Sequence, residues 1–212
     1  MNVRDSWDVI HSWLDKNQPS LKAKFQAPAR KKDLAHLEKV TGFVLPDDFK
    51  ASYLIHNGSD SMSGPIIGLP LMSLAEIERG WKTWADLAND EDLLAALNDD
   101  FSSSPTGFVQ PVYAHRGWLP FAGDGQNNVA LDYAPGPKGT IGQVINCGRD
   151  DEIRYRIAPN FTDFMAFVAT QFQKGHVQVR PEDPDWLCIK GQSEQRDFLT
   201  SLNSLLKPKR KR

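Results

Sequence analysis

The chain is poor in the residues that usually announce a reaction centre. It has two cysteines in 212 residues, Cys147 and Cys188. They lie far apart, and neither shows CxxC or Cys/His ligand spacing, which argues against a zinc site, a redox pair or a disulfide framework. The five histidines (His11, His36, His56, His115, His176) are scattered, with no HExxH or HxH pattern. No apolar run approaches the ~20 residues that span a bilayer. No charged and apolar leader stands at residues 1–5, so the chain reads as cytoplasmic. Net charge is only −2, so no global field points to nucleic acid or to an anionic membrane. There is no internal repeat. GxSxG and GxxxxGK[ST] are missing, because Lys138-Gly139 leads towards a strand and not a helix.

What is present is a core-forming composition, 40% hydrophobic with six tryptophans, enough for one large domain with appendages. Helical spacing of Trp7, Ile10, Trp13 and Leu14 predicts a first helix over 4–17. A second covers 32–42, with Gly42 as its C-cap. A third starts at Pro46, its Asp47 and Asp48 facing the helix dipole, and His56-Asn57-Gly58 closes it. A strand is expected at Ile66–Leu69. A further helix follows Ser73, whose Glu76 partner makes a capping box. Residues 86–110 read as an acidic insertion with a short helix near Asp92–Leu97, then a loop containing the serines at 102–104. A strand is then expected at Val109–Tyr113.

The most heavily specified stretch is 118–145. An aromatic-Pro lead-in runs into the turn Gly123-Asp124-Gly125-Gln126-Asn127-Asn128. A strand at Val129–Tyr133, the Pro135–Gly139 reversal and a strand at Ile141–Ile145 follow. Glu152–Ile157 alternates charged and apolar residues as a strand would. Asn160 caps a helix over Phe161–Phe172, a strand is expected at His176–Val179, and a last amphipathic helix covers 193–206. Residues 207–212, Lys-Pro-Lys-Arg-Lys-Arg, form a basic tail, the one segment with the charge to touch nucleic acid.

The order of these pieces resembles the SUKH superfamily, whose members include the yeast Smi/Knr cell-wall synthesis regulators. The residues that carry the resemblance are Gly42, Leu45, Pro46, Asp47, Tyr53, Asn57 and Gly58. A second block comprises Trp118–Gly125, Leu131-Asp132, Pro135-Gly136, Gly139, Gly142-Gln143-Val144 and the helix from Phe161. Together they span about 30–172, between an N-terminal helix and linker (1–29) and a C-terminal extension (173–206). The resemblance implies an α+β fold in which helices flank a curved, mainly antiparallel sheet. It also implies a non-enzymatic, protein-binding role.

Two functions follow from the resemblance. The main expectation is a bacterial immunity protein that neutralises a polymorphic toxin, such as a nuclease, by stoichiometric binding. The alternative is a regulatory scaffold in cell-wall synthesis or signalling. Acidic residues Asp86, Asp90, Glu91, Asp92, Asp99 and Asp100 would steer a basic partner, and Trp81 and Trp84, three apart on one helix, could anchor it. Asp124 and Asp132, bracketing the hairpin, add a partner-contact candidate. A third reading makes these two an acidic reaction site, yet their spacing fits no calcium loop, and turn chemistry accounts for them. No cofactor or metal is expected.

Overall fold

The structure, a computed structural model of the chain, describes residues 1–191 and 198–206, leaving aside the side chains of Asp99, Asn203 and Ser204. The predicted last helix is described only as Phe198–Leu206. The expectations for 193–197 and for the basic tail lie outside the described residues.

Eight helices and seven strands run in the order α1 (Val3–Asn17), α2 (Pro19–Lys22), α3 (Lys31–Thr41), α4 (Asp47–Tyr53), α5 (Leu74–Leu87), α6 (Glu91–Leu97), β1 (Ser102–Ser104), β2 (Trp118–Gly123), β3 (Asn127–Asp132), β4 (Gln143–Gly148), β5 (Ile153–Ala158), α7 (Phe161–Gln173), β6 (Val177–Arg180), β7 (Asp183–Ile189) and α8 (Phe198–Leu206), counted among the described residues. The fold is α+β, as the sequence predicts. An open five-stranded sheet has the order β1-β5-β4-β3-β2. β1 joins it parallel to β5, and the other three pairings are antiparallel. β6 and β7 form a separate hairpin.

Helix ends follow local chemistry. Asn2 and Asp5 cap α1 reciprocally, and Ser73 and Glu76 do the same for α5. Asn160 caps α7. The role expected of Asp48 is only partly local, because its Oδ2 accepts hydrogen bonds from the Thr162 N–H and hydroxyl, both 2.8 Å. A carboxylate at the start of α4 therefore serves the N-terminus of α7. α1, α4 and α7 pack together, and Trp7, Leu14, Phe49, Phe164 and Val168 join one core with Leu119, Val129, Leu131 and Val144 of the sheet. That core also takes in Val177, Leu187, Ile189 and Phe198. The segments expected to flank the domain thus share its interior.

The Asn-Gly motif has a double task. Asn57 Oδ1 accepts from Leu74 N–H at the start of α5 (3.0 Å), and Tyr53 Oη donates to Met72 O (2.8 Å). Gly58 has φ +95°, and a Cβ there would meet Ser73 N at 2.6 Å. Only glycine allows both the conformation and the approach. Residues 70–72 are thereby laid along the outer edge of β2, where Met72 N–H reaches Phe121 O and Gly123 N–H reaches Pro70 O. An edge that could otherwise recruit another chain is covered.

The sheet differs from expectation in three places. Trp118–Gly123 is itself a strand, so 118–148 is a three-stranded meander. Its Pro120 is tolerated because β2 is the last strand of the sheet. Val109–Tyr113 is not a strand; Ser102–Ser104 is. Pro111 lacks a ladder donor, and the carbonyls here are taken otherwise. Phe108 O accepts from Gly136 N–H and Gln143 Nε2, while Val112 and Tyr113 serve Arg154. Ile66–Leu69 is a tight turn, closed in both directions between Ile66 and Leu69. Its central residues Ile67 (φ 53°) and Gly68 (φ 82°) are left-handed.

Both faces of the sheet are buried. One carries the helices. The other carries a smaller core of Val109, Trp118, Ala130, Ile145 and Cys147, roofed by the end of the insertion. Arg154 lies at its margin, fully buried. Its guanidinium donates to the carbonyls of Val112 (3.0 Å), Asp151 (2.8 Å), Tyr113 (2.9 Å) and Gly148 (2.9 Å). It also lies 4.3 Å from the Phe101 ring centroid, a cation–π distance. Burial pulls its pKa down to about 10, so it stays charged at neutral pH. The alternation in β5 is as read, but the face with the arginines is not solvent.

On the helical side, His11 Nε2 and His56 Nε2 are 2.8 Å apart. His56 Nδ1 must donate to Gln26 O (3.2 Å), which makes its Nε2 the acceptor and His11 Nε2–H the donor. Two imidazoliums cannot share that contact. Burial, then His56, then Lys22 depress His11 to about 4 against the opposing Asp8 and Asp15, and burial lowers His56 too.

Two outcomes are expected. Arg154→Met orphans four carbonyls and should cost about 3 kcal/mol or more, measured as a lower urea midpoint. Arg154→Lys keeps the charge without the fork and should recover only part; a wild-type midpoint for Arg154→Met would refute the assignment. Between the usual histidine pKa of 6.5 and about 4 the unfolded chain binds more protons at His11 than the folded one, so this contribution to stability falls as pH drops through that window. His11→Phe should flatten the pH dependence of the denaturation midpoint there, and an unchanged slope would count against the histidine pair.

Candidate functional site

The two aspartates that bracket the hairpin have opposite fates. Asp124 is exposed, and its Oδ1 accepts from Gln126 N–H (2.8 Å) and Asn127 N–H (2.7 Å), an Asx turn. Asp132 is buried. It receives Ala134 N–H (2.9 Å) and Gln143 Nε2 (2.8 Å), and so fixes the 133–142 loop. Burial pushes its pKa up to about 6, against the pull of those hydrogen bonds. At ~3.4 Å per residue β3 alone sets its ends roughly 17 Å apart. The two carboxylates do not converge, which corrects the reading of a single acidic reaction site.

Trp81 and Trp84 are 9% and 8% exposed, not projecting anchors. Both indoles point inward, Trp81 Nε1 donating to Arg116 O (2.8 Å) and Trp84 Nε1 to Gly125 O (3.2 Å). The face of α5 that carries them packs on β2 and its turns. Asp86, Asp90, Glu91, Asp92 and Asp100 are exposed. Asp90 Oδ1 caps α6 through Leu93 N–H (2.9 Å). Asp99 belongs to the short 3-10 turn Asn98–Asp100.

The structure gathers a different set. A cleft of about 570 Å³ opens between α5, the Gly123–Gly125 turn and the C-terminal hairpin. Met62, Leu71, Met72, Trp84 and Trp186 supply apolar wall, and Arg79 and Asp124 stand on it. Trp186 is brought there by backbone pairing, since Gly64 N–H donates to Asp185 O and Leu187 N–H to Gly64 O. A Cβ at Gly64 would sit 2.4 Å from the Trp186 ring, so glycine permits that seat. Pro70, Asp124 and Trp186 are shared with a second hollow of about 260 Å³, and this also touches Asn127, Asp150 and Asp151. A third, of about 460 Å³, continues along Asp150–Ile153 and Tyr155.

Of the residues singled out from sequence, only Trp84 and Asp124 line this groove. Met62, Arg79, Asp150, Asp151 and Trp186 were missed. Arg149-Asp150-Asp151-Glu152 is visible as a polar turn, but its groove neighbour Asn127 is 23 positions from Asp150 in sequence, and Trp186 is farther still. Among the described residues no group of three or more His, Cys, Asp or Glu could hold a metal ion, and no helix is long and apolar enough to cross a membrane. Burial raises the Cys147 thiol to about 12, so it is not a thiolate nucleophile at neutral pH.

These features define a class: an α+β domain with an open mixed sheet, helices on one face, and a groove where sheet turns meet a C-terminal hairpin. The SMI1 / KNR4 family (SUKH-1) profile matches residues 28–166, and the chain belongs to that family. It is similar to the cell wall biosynthesis/cell cycle regulator smi1 of Schizosaccharomyces pombe, 36% identical over 200 residues, covering 89% of this chain and 40% of that protein. It is also similar to the glucan synthesis regulatory protein of Neurospora crassa, 31% identical over 222 residues, with 89% and 41% covered. Against the cell wall assembly regulator SMI1 of Saccharomyces cerevisiae it is 28% identical over 225 residues, with 91% and 45% covered. The chain spans less than half the length of these relatives. All three carry the names of regulators. That favours the regulatory role over toxin neutralisation, for which these relatives offer no support.

Asp132→Ala should destabilise by about 1–3 kcal/mol by orphaning the Ala134 and Gln143 donors. In the folded protein Asp132 binds its proton more tightly than the usual carboxyl at 3.8 does, holding it up to about 6. Its own contribution to stability therefore declines as pH rises through that window. Asp132→Asn should remove this decline from a denaturation-versus-pH profile, whereas an identical profile would show that the carboxyl is not buried as described.

Proposed function

We propose that this chain is the protein-binding domain of a regulator of cell-wall synthesis, a scaffold that acts by holding a partner and not by turnover. The observation that carries this reading is the extent of the match: regulators of wall synthesis or assembly align with 89–91% of the chain. The folded domain is thus the part of those proteins that this chain has in common with them. The buried, hydrogen-bonded state of Asp132 supports a binding role, because the one carboxyl among the described residues with a strongly raised pKa is spent on loop structure. The acidic face of α6 and its flanks (Asp86, Asp90, Glu91, Asp92, Asp100) is a second region that would steer a basic partner.

A chimera tests it. The region of the Saccharomyces cerevisiae regulator aligned with this chain is replaced by it, and growth and wall glucan content are compared with a strain lacking that region. Restoration of both is expected. A folded, expressed chimera that restores neither would sink the regulatory reading.

A further inference from the structure

The three adjoining hollows make one groove, and its charge is uneven. Its walls carry Glu76, Asp124, Asp150, Asp151 and Glu152 against Arg79. Nearby cations are already engaged among the described residues. Arg149 pairs with Asp150 (3.2 Å), Lys24 with Asp185 (3.4 Å) and Asp60 (3.8 Å), and Arg180 stacks over Trp186 at 5.6 Å.

The carboxylates are held in place mainly by neutral donors. The main-chain N–H of Asn127 bonds to Asp124 (2.7 Å), and its side-chain Nδ2 bonds to Asp150 Oδ2 (2.6 Å). One residue therefore sets two carboxylates side by side on the wall of the middle hollow. Asp151 Oδ2 takes Asn146 Nδ2 (3.1 Å). Amide donors orient an anion without cancelling its charge; Asp150 is in addition paired with Arg149 (3.2 Å), so Asp124 and Asp151 are the carboxylates pre-organised for a cation. The Met62 end is mainly apolar, whereas the Ile153 end is mainly polar with one exposed aliphatic side chain. Met62 is 73% exposed at one end and Ile153 39% at the other, two large hydrophobic side chains in water beside a concave surface. Trp84 and Trp186 lie between them, nearer Met62.

We infer that this groove, running from Met62 past Asp124 and Asp150 to Ile153, seats an extended segment of a partner protein in which lysine or arginine residues are flanked by apolar ones. The inference rests on the protein-binding reading above and adds the place and the partner's chemistry. A cationic head group docks at Asp124, Asp150 and Asp151, where three carboxylates gather and amide donors already orient them. Apolar neighbours fill the hollow walled by Met62, Leu71, Met72 and Trp186. Phosphate-bearing ligands, whether nucleic acid or an anionic lipid surface, meet like charge here and are disfavoured.

The test titrates the whole chain with a fluorescein-labelled synthetic peptide holding a Lys-Arg pair between leucines. Fluorescence anisotropy and amide chemical shifts are followed together. Binding should perturb amides of residues 61–84, 123–127 and 150–153, and should weaken as salt rises. Replacing Lys-Arg by Gln-Gln in the peptide, or Asp124→Asn with Asp150→Asn in the protein, should weaken it roughly tenfold or more. Each replacement retains one oxygen for its Asn127 donor, the Asp150 bond to Arg149 is given up, and an unchanged denaturation midpoint checks the folding. Met62→Ser, at an exposed position, should weaken binding without changing the salt dependence.

Affinity indifferent to the double variant overturns the proposal, as do shifts centred instead on the exposed Val44 and Ile141. Self-association of the chain that the double variant abolishes also overturns it, in favour of a second copy as occupant. The chimera separates the two claims. Loss of wall rescue by the double variant, alongside loss of peptide binding, supports both. Peptide binding in the groove without rescue by the unaltered chimera leaves the groove standing and removes the regulatory role. Rescue that survives the double variant removes the groove and leaves the role.

Discussion

One buried cation ties the two halves of the sheet's outer side together. A guanidinium carries five N–H donors in a planar fork, and removing its charge from water is costly unless those donors are met. Arg154 meets them with four main-chain carbonyls from two separate segments. Val112 and Tyr113 belong to the roof of the second core; Gly148 and Asp151 belong to the β4–β5 turn. No carboxylate takes part in these bonds, so the charge is compensated by peptide dipoles and by the rings of Phe101 and Trp118. The roof and the turn that carries Asp150 and Asp151 are held by the same residue, and neither can shift without breaking its share of that network.

A comparable constraint works at the opposite edge of the sheet. Tyr53, Asn57, Gly58 and Ser59 lie on a short stretch that begins at the last residue of α4, yet all act on residues 71–74. Ser59 Oγ accepts from Leu71 N–H (2.9 Å), Tyr53 binds Met72 O, and Gly58 lets the chain pass against Ser73. The result is a fixed starting point for α5 and a covered β2 edge. Leu71 and Met72, held in this way, become wall of the main cleft. Stability and surface shape thus share the same hydrogen bonds.

The helices were legible because their signals are local. Caps at Ser73 and Asn160 and the C-cap glycine at position 42 are read within a few residues, and the structure places them so. The sheet was less legible where a local rule lost to tertiary context. Pro120 argues against a strand unless the strand is known to be an edge, and Ser102–Ser104 has no apolar pattern because it adds only three residues to β5. Arg154 sits on an alternating strand whose polar face should be wet; it is dry because the insertion folds back over it. The groove was hardest to foresee. Gly64, Asp124, Asp150 and Trp186 meet only through chain crossings, and no periodicity encodes which loops share a wall. Trp81 and Trp84 were read as partner anchors because amphipathic spacing gives a buried face but not how far burial extends around the helix. Here β2 and its turns cover both indoles.

Asp124 and Asp132 show why net charge says little about this surface. They flank one hairpin and share a side-chain chemistry, but Asp132 is withdrawn from water and its charged form penalised, while Asp124 stays in solvent on an Asx turn. A total of −2 therefore conceals a groove in which acidic side chains outnumber basic ones. What an approaching chain senses is the local arrangement. Asn127 joins Asp124 to Asp150, and Arg154 bonds to the turn from which Asp150 and Asp151 project, so that arrangement is tied by hydrogen bonds to the sheet that carries it.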